Sequence, residues 1–135
     1  MKVTINLARV ILFVLIALGL YGAASVSYST ITGTAPCPTV GFIPACYIVF
    51  IGYLLMLIAS AATLFIKRQR YSIFFCGWTP VFLLAFFGSI FEVINGNTCP
   101  KSGSGLALCY VSLSFALVIA GLYIFLIKTQ FIKNN

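Results

Sequence analysis

The sequence predicts an all-α membrane protein, a four-transmembrane-helix bundle that forms a single domain over residues 1–135. Apolar residues make up 62 % of the chain and charged residues only 7 %, whereas a soluble domain carries about 25 % charged residues. Four apolar stretches, 10–28, 45–66, 73–94 and 105–127, are each close to the roughly 20 residues that a helix needs to cross a bilayer. Every basic residue lies outside these stretches. Together these observations exclude an ordinary water-soluble domain.

The basic residues set the expected orientation of the four helices, because short cytoplasmic segments retain Lys and Arg. Seven of the eight precede the first stretch, separate the second from the third or follow the fourth: Lys2, Arg9, Lys67, Arg68, Arg70, Lys128 and Lys133. Only Lys101 lies on the other side. We therefore expect both termini to be cytoplasmic, loops 29–44 and 95–104 to face outward, and the membrane to be the plasma (inner) membrane.

The first stretch has an alternative interpretation as a cleaved signal peptide. Lys2 and Arg9 precede an apolar core that runs into small residues at 22–25, and this order is typical of secretory signals. Cleavage would leave three helices and place the new N-terminus outside.

The two halves of the chain share a motif around their outward loops. Cys-Pro is followed by Gly and then by Cys-Tyr at Cys37-Pro38, Gly41 and Cys46-Tyr47, and again at Cys99-Pro100, Gly103 and Cys109-Tyr110. This match predicts two duplicated helical hairpins, 1–67 and 68–128, each with an outward Cys-Pro…Cys-Tyr loop. A chance similarity is the alternative.

Composition excludes most metal and hydrolase chemistry. With one acidic residue and no histidine, the chain lacks the side chains for a Ser-His-Asp triad, a paired-carboxylate site, a His-based zinc site or a carboxylate cage for calcium. We therefore expect no metal site. We attribute the net charge of +7 to membrane topology. We expect no nucleic-acid partner, since the basic residues lie between apolar stretches and do not form a surface cluster.

Four of the five cysteines, Cys37, Cys46, Cys99 and Cys109, lie in or beside the outward loops. This side is oxidising for a bacterial or archaeal plasma membrane and for the endoplasmic reticulum. Cys76 lies near the cytoplasmic end of the third helix, where a buried cysteine behaves as a small apolar residue. Four cysteines allow three disulfide connectivities. Two interpretations stay open: structural disulfides Cys37–Cys46 and Cys99–Cys109, each of which closes a loop, or at least one pair that cycles between dithiol and disulfide.

Two stretches of the chain resemble the vitamin K epoxide reductase family. Residues 18–28, followed by Cys37-Pro-Thr-Val-Gly-Phe-Ile-Pro-Ala-Cys46-Tyr-Ile-Val49, are similar to its first helix and outward loop. The family has a Ser-x-Tyr near the end of this helix, where this chain has Ser25-Val-Ser-Tyr28, and its Cys-x-x-Val is matched at 46–49. The stretch from Gly88-Ser-Ile-Phe through Cys99-Pro to Cys109-Tyr-Val-Ser is similar to its third and fourth helices. Four helices with outward cysteines also resemble the bacterial membrane proteins that reoxidise periplasmic disulfide carriers.

The resemblance implies a membrane thiol–disulfide oxidoreductase that uses a quinone. Cys37 and Cys46 would take electrons from a thioredoxin-like carrier, and Cys99 and Cys109 would pass them to the quinone. In that family the quinone-side pair is a Cys-x-x-Cys, whereas nine residues separate Cys99 from Cys109 here.

Glu92, the only acidic residue, lies near the outer end of the third helix. An ionisable group inside a membrane segment is costly and marks a functional hypothesis. We expect Glu92 either to hold or pass a proton during thiol or quinone chemistry, or to pair with Lys101. A carboxylate wetted by headgroup water is the structural alternative. The candidate catalytic residues are therefore Cys37, Cys46, Cys99, Cys109 and Glu92.

Two other functions compete with the redox hypothesis. The first is a non-enzymatic accessory subunit that docks on a larger membrane complex and carries two structural loop disulfides. The second is a small transporter or channel built from the two hairpins, alone or as a homo-oligomer, although its helices offer few polar groups to coordinate an ion. In each case the lipid bilayer is a partner.

Overall fold

The computed structural model describes residues 2–34, 37–61 and 67–133. The four predicted helices are present in this part of the chain as α1 (Lys2–Ile31), α2 (Ala45–Ala61), α3 (Lys67–Asn95) and α4 (Leu108–Lys133). A short hairpin of two strands, β1 (Thr39–Val40) and β2 (Ile43–Pro44), precedes α2 and is an addition to the all-α fold that the sequence predicts.

Three helical segments are long and apolar enough to cross a membrane: Val3–Ile31, Gln69–Asn95 and Leu108–Gln130. α2 is also apolar and has 17 residues, Ala45–Ala61. The rest of the predicted stretch 45–66 lies outside the described residues. The structure therefore supports an integral membrane protein.

Three helix ends lie well beyond the predicted apolar stretches. α1 begins at Lys2 instead of residue 10, α3 begins at Lys67 instead of 73, and α4 ends at Lys133 instead of 127. An apolar run measures the part of a helix that crosses hydrocarbon, and a helix continues past it where no Pro or Gly interrupts the backbone. α4 begins later than predicted because Gly105 has a φ of +81° and belongs to the preceding loop.

The helices pack in a ring, in which α2 contacts α1 and α3, and α4 contacts α3 and closes against α1. Each helix contributes to one apolar core. Its most deeply buried large side chains are Ile16 of α1, Met56 of α2, Phe74 and Val81 of α3, and Ile119 of α4. The helix order places both loops that contain cysteines at one end of the bundle.

Two glycines set the separation of α2 and α3. A Cβ added to Gly77 would lie 2.7 Å from the carbonyl oxygen of Gly52 and 2.9 Å from the Leu55 Cβ. Small residues that let helix backbones approach are the usual basis of helix association in membranes, where the hydrophobic effect does not drive packing. This contact makes α2 and α3 the most extensively packed pair of helices.

α3 and α4 are joined by an indole hydrogen bond and by stacked rings. The Trp78 indole N–H donates to the Ala116 carbonyl oxygen at 2.8 Å. One turn away, the rings of Phe74 and Tyr123 stack with their centroids 3.7 Å apart. A buried Trp N–H needs such an acceptor, so this bond fixes α4 relative to α3.

Replacing Gly77 with alanine should lower the free energy of unfolding by about 2 kcal/mol, because the added methyl group overpacks the α2–α3 contact. Gly121→Ala on α4 is the matched control, since a Cβ there meets nothing within 4 Å. Thermal unfolding of both variants in detergent micelles, followed by circular dichroism, measures the difference. Equal midpoints for the two variants would contradict the close packing of α2 on α3.

Candidate functional site: two disulfides around one cavity

The two loops that contain cysteines lie at one end of the bundle, which we call the loop end. Each is closed by an equivalent backbone hydrogen bond. The Ala45 N–H donates to the Pro38 carbonyl oxygen at 2.9 Å, and the Leu108 N–H donates to the Pro100 carbonyl oxygen at 3.1 Å. In both loops this bond joins the proline after the first cysteine to the residue before the second. Each loop therefore brings its own two cysteines together.

The first loop reverses direction at a tight hairpin. Thr39 pairs with Pro44 and Val40 with Ile43. The two residues between them include Gly41, whose φ of +68° is one that side chains disfavour. In the second loop, Lys101 and Ala107 form a single antiparallel bridge.

The cysteines pair as Cys37–Cys46 and Cys99–Cys109, one of the three connectivities that the sequence leaves open. The Cα atoms are 6.3 Å apart in the first pair and 6.1 Å apart in the second, within the range that a disulfide spans. Cys46 and Cys99 are buried, whereas Cys37 and Cys109 are half-buried. Each disulfide therefore joins a buried cysteine to a half-buried one.

Both disulfides border the same cavity, which has a volume of about 630 Å³ and lies at the loop end. All four helices and both loops contribute to its wall, and Cys37, Cys46, Cys99 and Cys109 all line it. Small-molecule sites in proteins typically enclose roughly 300–1,000 Å³. The four cysteines that the sequence singles out thus belong to one site of a size suited to a small ligand.

Two glycines make room for the walls of this cavity. A Cβ on Gly88 of α3 would lie 3.0 Å from the Cys109 Sγ and 3.5 Å from the Cys99 Sγ. A Cβ on Gly19 of α1 would overlap the ring of Tyr53. The second disulfide therefore packs directly on the backbone of α3, and the Tyr53 ring packs on the backbone of α1.

The cavity is lined mainly by apolar side chains. Two of its few polar side chains, Tyr53 on α2 and Ser112 on α4, contact each other. Tyr53 is only 3 % exposed. A largely apolar pocket with a few polar groups favours a ligand whose surface is itself mostly apolar.

The cavity is only partly enclosed. Several of its lining residues are exposed, including Leu18 and Tyr21 on α1, Phe87 and Phe91 on α3 and Val111 on α4. These residues belong to the segments that are apolar enough to cross a membrane.

Glu92 lies beside the second disulfide but outside the cavity lining. Its carboxylate Oε2 accepts the backbone N–H of Thr98 at 2.7 Å and that of Cys99 at 2.9 Å. The Lys101 ammonium group donates to the Gly96 carbonyl oxygen at 3.3 Å and to the Asn97 Oδ1 at 3.1 Å. Glu92 and Lys101 thus each hold part of the second loop.

The fifth cysteine, Cys76, is a free thiol that is exposed on the surface of α3, not buried as the sequence suggests. Within 2–34, 37–61 and 67–133, no group of three or more His, Cys, Asp or Glu side chains is placed to hold a metal ion.

Comparison with known proteins finds no family model, no curated protein and no solved structure that matches this chain. The site must therefore be interpreted from its own geometry.

Several lining residues escape sequence reasoning. Tyr53 and Ser112 read as ordinary helix residues, because nothing in a single sequence shows that α2 and α4 bring them together. Gly88 lies in the stretch that carries the family resemblance, but its contact with both sulfur atoms of the second disulfide becomes visible only in the fold.

Gly88→Ala should make the Cys99–Cys109 disulfide about fivefold easier to reduce, because a methyl group pressed against the Cys109 Sγ adds roughly 1 kcal/mol of overpacking to the oxidised state. Gly22→Ala is the control, because Gly22 also lines the cavity but an added Cβ there has nothing within 4 Å. This variant should leave the reduction of Cys99–Cys109 unchanged. Equilibration with dithiothreitol, alkylation and peptide mapping measure the reduced fraction of Cys99–Cys109 in both variants. An unchanged reduced fraction in Gly88→Ala would contradict the contact between Gly88 and the Cys109 Sγ.

Proposed function

We propose that this protein is a membrane thiol–disulfide oxidoreductase that passes electrons from cysteines at the loop end to a membrane quinone. The observation that carries the proposal is that both disulfides line one apolar cavity. Two structural staples have no need of a shared cavity, whereas a relay needs its two pairs close together and one of them beside the acceptor.

The cavity suits a quinone as the acceptor substrate. A quinone ring is neutral and flat, so it suits a largely apolar pocket with few hydroxyl groups, among them those of Tyr53 and Ser112. The open part of the cavity is bordered by exposed apolar side chains of α1, α3 and α4, which suit an isoprenoid tail. An ion or a polar solute would find too few coordinating groups there, which disfavours the transporter hypothesis.

The proposed reaction proceeds by thiol–disulfide exchange. A reduced thioredoxin-like carrier attacks the half-buried Cys37, Cys46 leaves, and the carrier departs oxidised while Cys37 and Cys46 become a dithiol. This dithiol reduces the Cys99–Cys109 disulfide by a second exchange. Oxidation of Cys99 and Cys109 then restores their S–S bond and delivers two electrons and two protons to the quinone, which becomes the quinol.

Helix geometry supports the choice of leaving groups. Cys46 and Cys109 lie in the first turns of α2 and α4, where the positive end of the helix dipole stabilises a negative charge such as that of a thiolate. Cys37 and Cys99 lie in the loops. Each disulfide thus pairs a loop cysteine with a cysteine at a helix N-terminus.

We further propose that the loop end faces the oxidising side of a plasma (inner) membrane and that all four helices span it. The opposite end carries Arg9, Arg70 and Lys128, at the start of α1, the start of α3 and the end of α4. This placement fits the retention of basic residues in the cytoplasm. The equivalent closure of the two loops supports the proposed duplication of a helical hairpin.

The purified protein in detergent micelles should catalyse the reduction of a short-chain ubiquinone analogue by dithiothreitol. Cys99→Ser and Cys109→Ser should each lower the rate at least 100-fold, because neither can re-form the disulfide beside the acceptor. Cys76→Ser is the control and should keep the parent rate, since this thiol is not part of the cavity lining. The absorbance of the quinone follows the reaction.

A wild-type rate no faster than the uncatalysed reaction would contradict the proposed function. That result would favour the accessory-subunit hypothesis. This hypothesis predicts that mild detergent extracts the chain together with a larger partner.

A further inference from the structure

Glu92 has no role in the electron transfer steps proposed above. It is the only acidic residue in the chain, and it lies in the last turn of α3, only 8 % exposed. Burial of a carboxylate is costly unless hydrogen bonds satisfy it. Here the backbone N–H groups of Thr98 and Cys99 converge on a single oxygen, Oε2, at 2.7 and 2.9 Å.

Glu92 and Gly88 are one helical turn apart on α3, and both meet Cys99. The Glu92 carboxylate accepts the backbone N–H of Cys99, and the Cys99 Sγ lies 3.6 Å from the Gly88 carbonyl oxygen. Consecutive turns of one helix therefore hold the backbone of Cys99 by a hydrogen bond and contact its sulfur. Its partner Cys109 is fixed separately, by the first turn of α4.

The first disulfide has no equivalent anchor. With one carboxylate side chain in the entire sequence, the loop of Cys37 and Cys46 cannot contain a second. The two pairs thus close loops of similar length, with separations of 9 and 10 residues, but only one is tied to a neighbouring helix by a charged group. The first pair is a natural internal control for the second.

We propose that Glu92 is a positioning residue that holds Cys99 where its sulfur meets Cys109, and thereby favours the disulfide form of this pair. Oxidation of the dithiol breaks two S–H bonds, forms one S–S bond and releases two electrons and two protons to the oxidant. A cysteine held in the bonding geometry has a high effective concentration toward its partner. Glu92 would thus promote electron release to the quinone, a consequence that rests on the function proposed above.

Three substitutions separate positioning from charge. Glu92→Ala removes both hydrogen bonds. Glu92→Asp keeps the charge, but its side chain is one methylene too short to reach the two N–H groups. Glu92→Gln removes the charge and keeps an amide oxygen that can accept from both, so it is the conservative variant expected to rescue the positioning.

The experiment equilibrates the full chain in detergent micelles with mixtures of reduced and oxidised dithiothreitol, then quenches with acid, alkylates and maps both pairs by mass spectrometry. Glu92→Ala should make Cys99–Cys109 about tenfold easier to reduce, which corresponds to about 30 mV. Glu92→Asp should shift the pair in the same direction, and Glu92→Gln should stay within about threefold of the parent. Cys37–Cys46 should not change in any variant.

The proposal is overturned if Glu92→Ala and Glu92→Asp stay within threefold of the parent, or if both disulfides shift together, as they would in a generally loosened protein. Should Glu92→Ala fail to fold, the difference between Glu92→Asp and Glu92→Gln decides alone. The equilibrium needs neither quinone nor carrier protein. If the parent protein does not reduce quinone, the proposed function is rejected. The role of Glu92 is tested separately, by the mapped disulfides.

Discussion

The contact of the Cys99–Cys109 disulfide with the backbone of α3 at Gly88 is the constraint on which the loop end depends. Glycine leaves room there, since a Cβ would lie 3.0 Å from the Cys109 Sγ, closer than side chains normally pack. The disulfide joins the second loop to the first turn of α4, and Glu92 ties the same loop back to α3. One wall of the cavity is thereby fixed, and the Tyr53 ring, seated on Gly19 of α1, contributes to its lining from α2.

The bilayer explains why the rest of the chain consists of closely packed helices. In lipid a backbone must satisfy its own hydrogen bonds, so the spanning parts are helices, and close packing at Gly52 and Gly77 replaces the hydrophobic effect as the means of association. In the described ranges that lie between helices, irregular backbone is found at the loop end, where each loop is closed by a proline carbonyl and a disulfide. The partly open cavity lies there, among the ends of the four helices.

The sequence predicts the helices well, because about 20 apolar residues are a direct measure of hydrocarbon thickness. It misplaces the ends of α1, α3 and α4, because polar residues such as Lys2 continue a helix beyond the hydrocarbon. It also indicates the four loop cysteines and Glu92 as candidate site residues, since thiol and carboxyl groups are rare in such an apolar chain. It does not reveal the cavity, which exists because residues far apart in sequence, such as Tyr53 and Ser112, meet across helices.

The most direct test of a redox-active loop end is the state of the cysteines in native membranes, measured by alkylation with a thiol-reactive mass tag, with and without reductant, before and after quinone depletion. The account predicts the pairs Cys37–Cys46 and Cys99–Cys109, with at least one partly reduced, exchanging with added dithiol and becoming more reduced when quinone is depleted. Two fully oxidised pairs that resist mild reductant and ignore quinone would contradict it and identify the disulfides as structural staples.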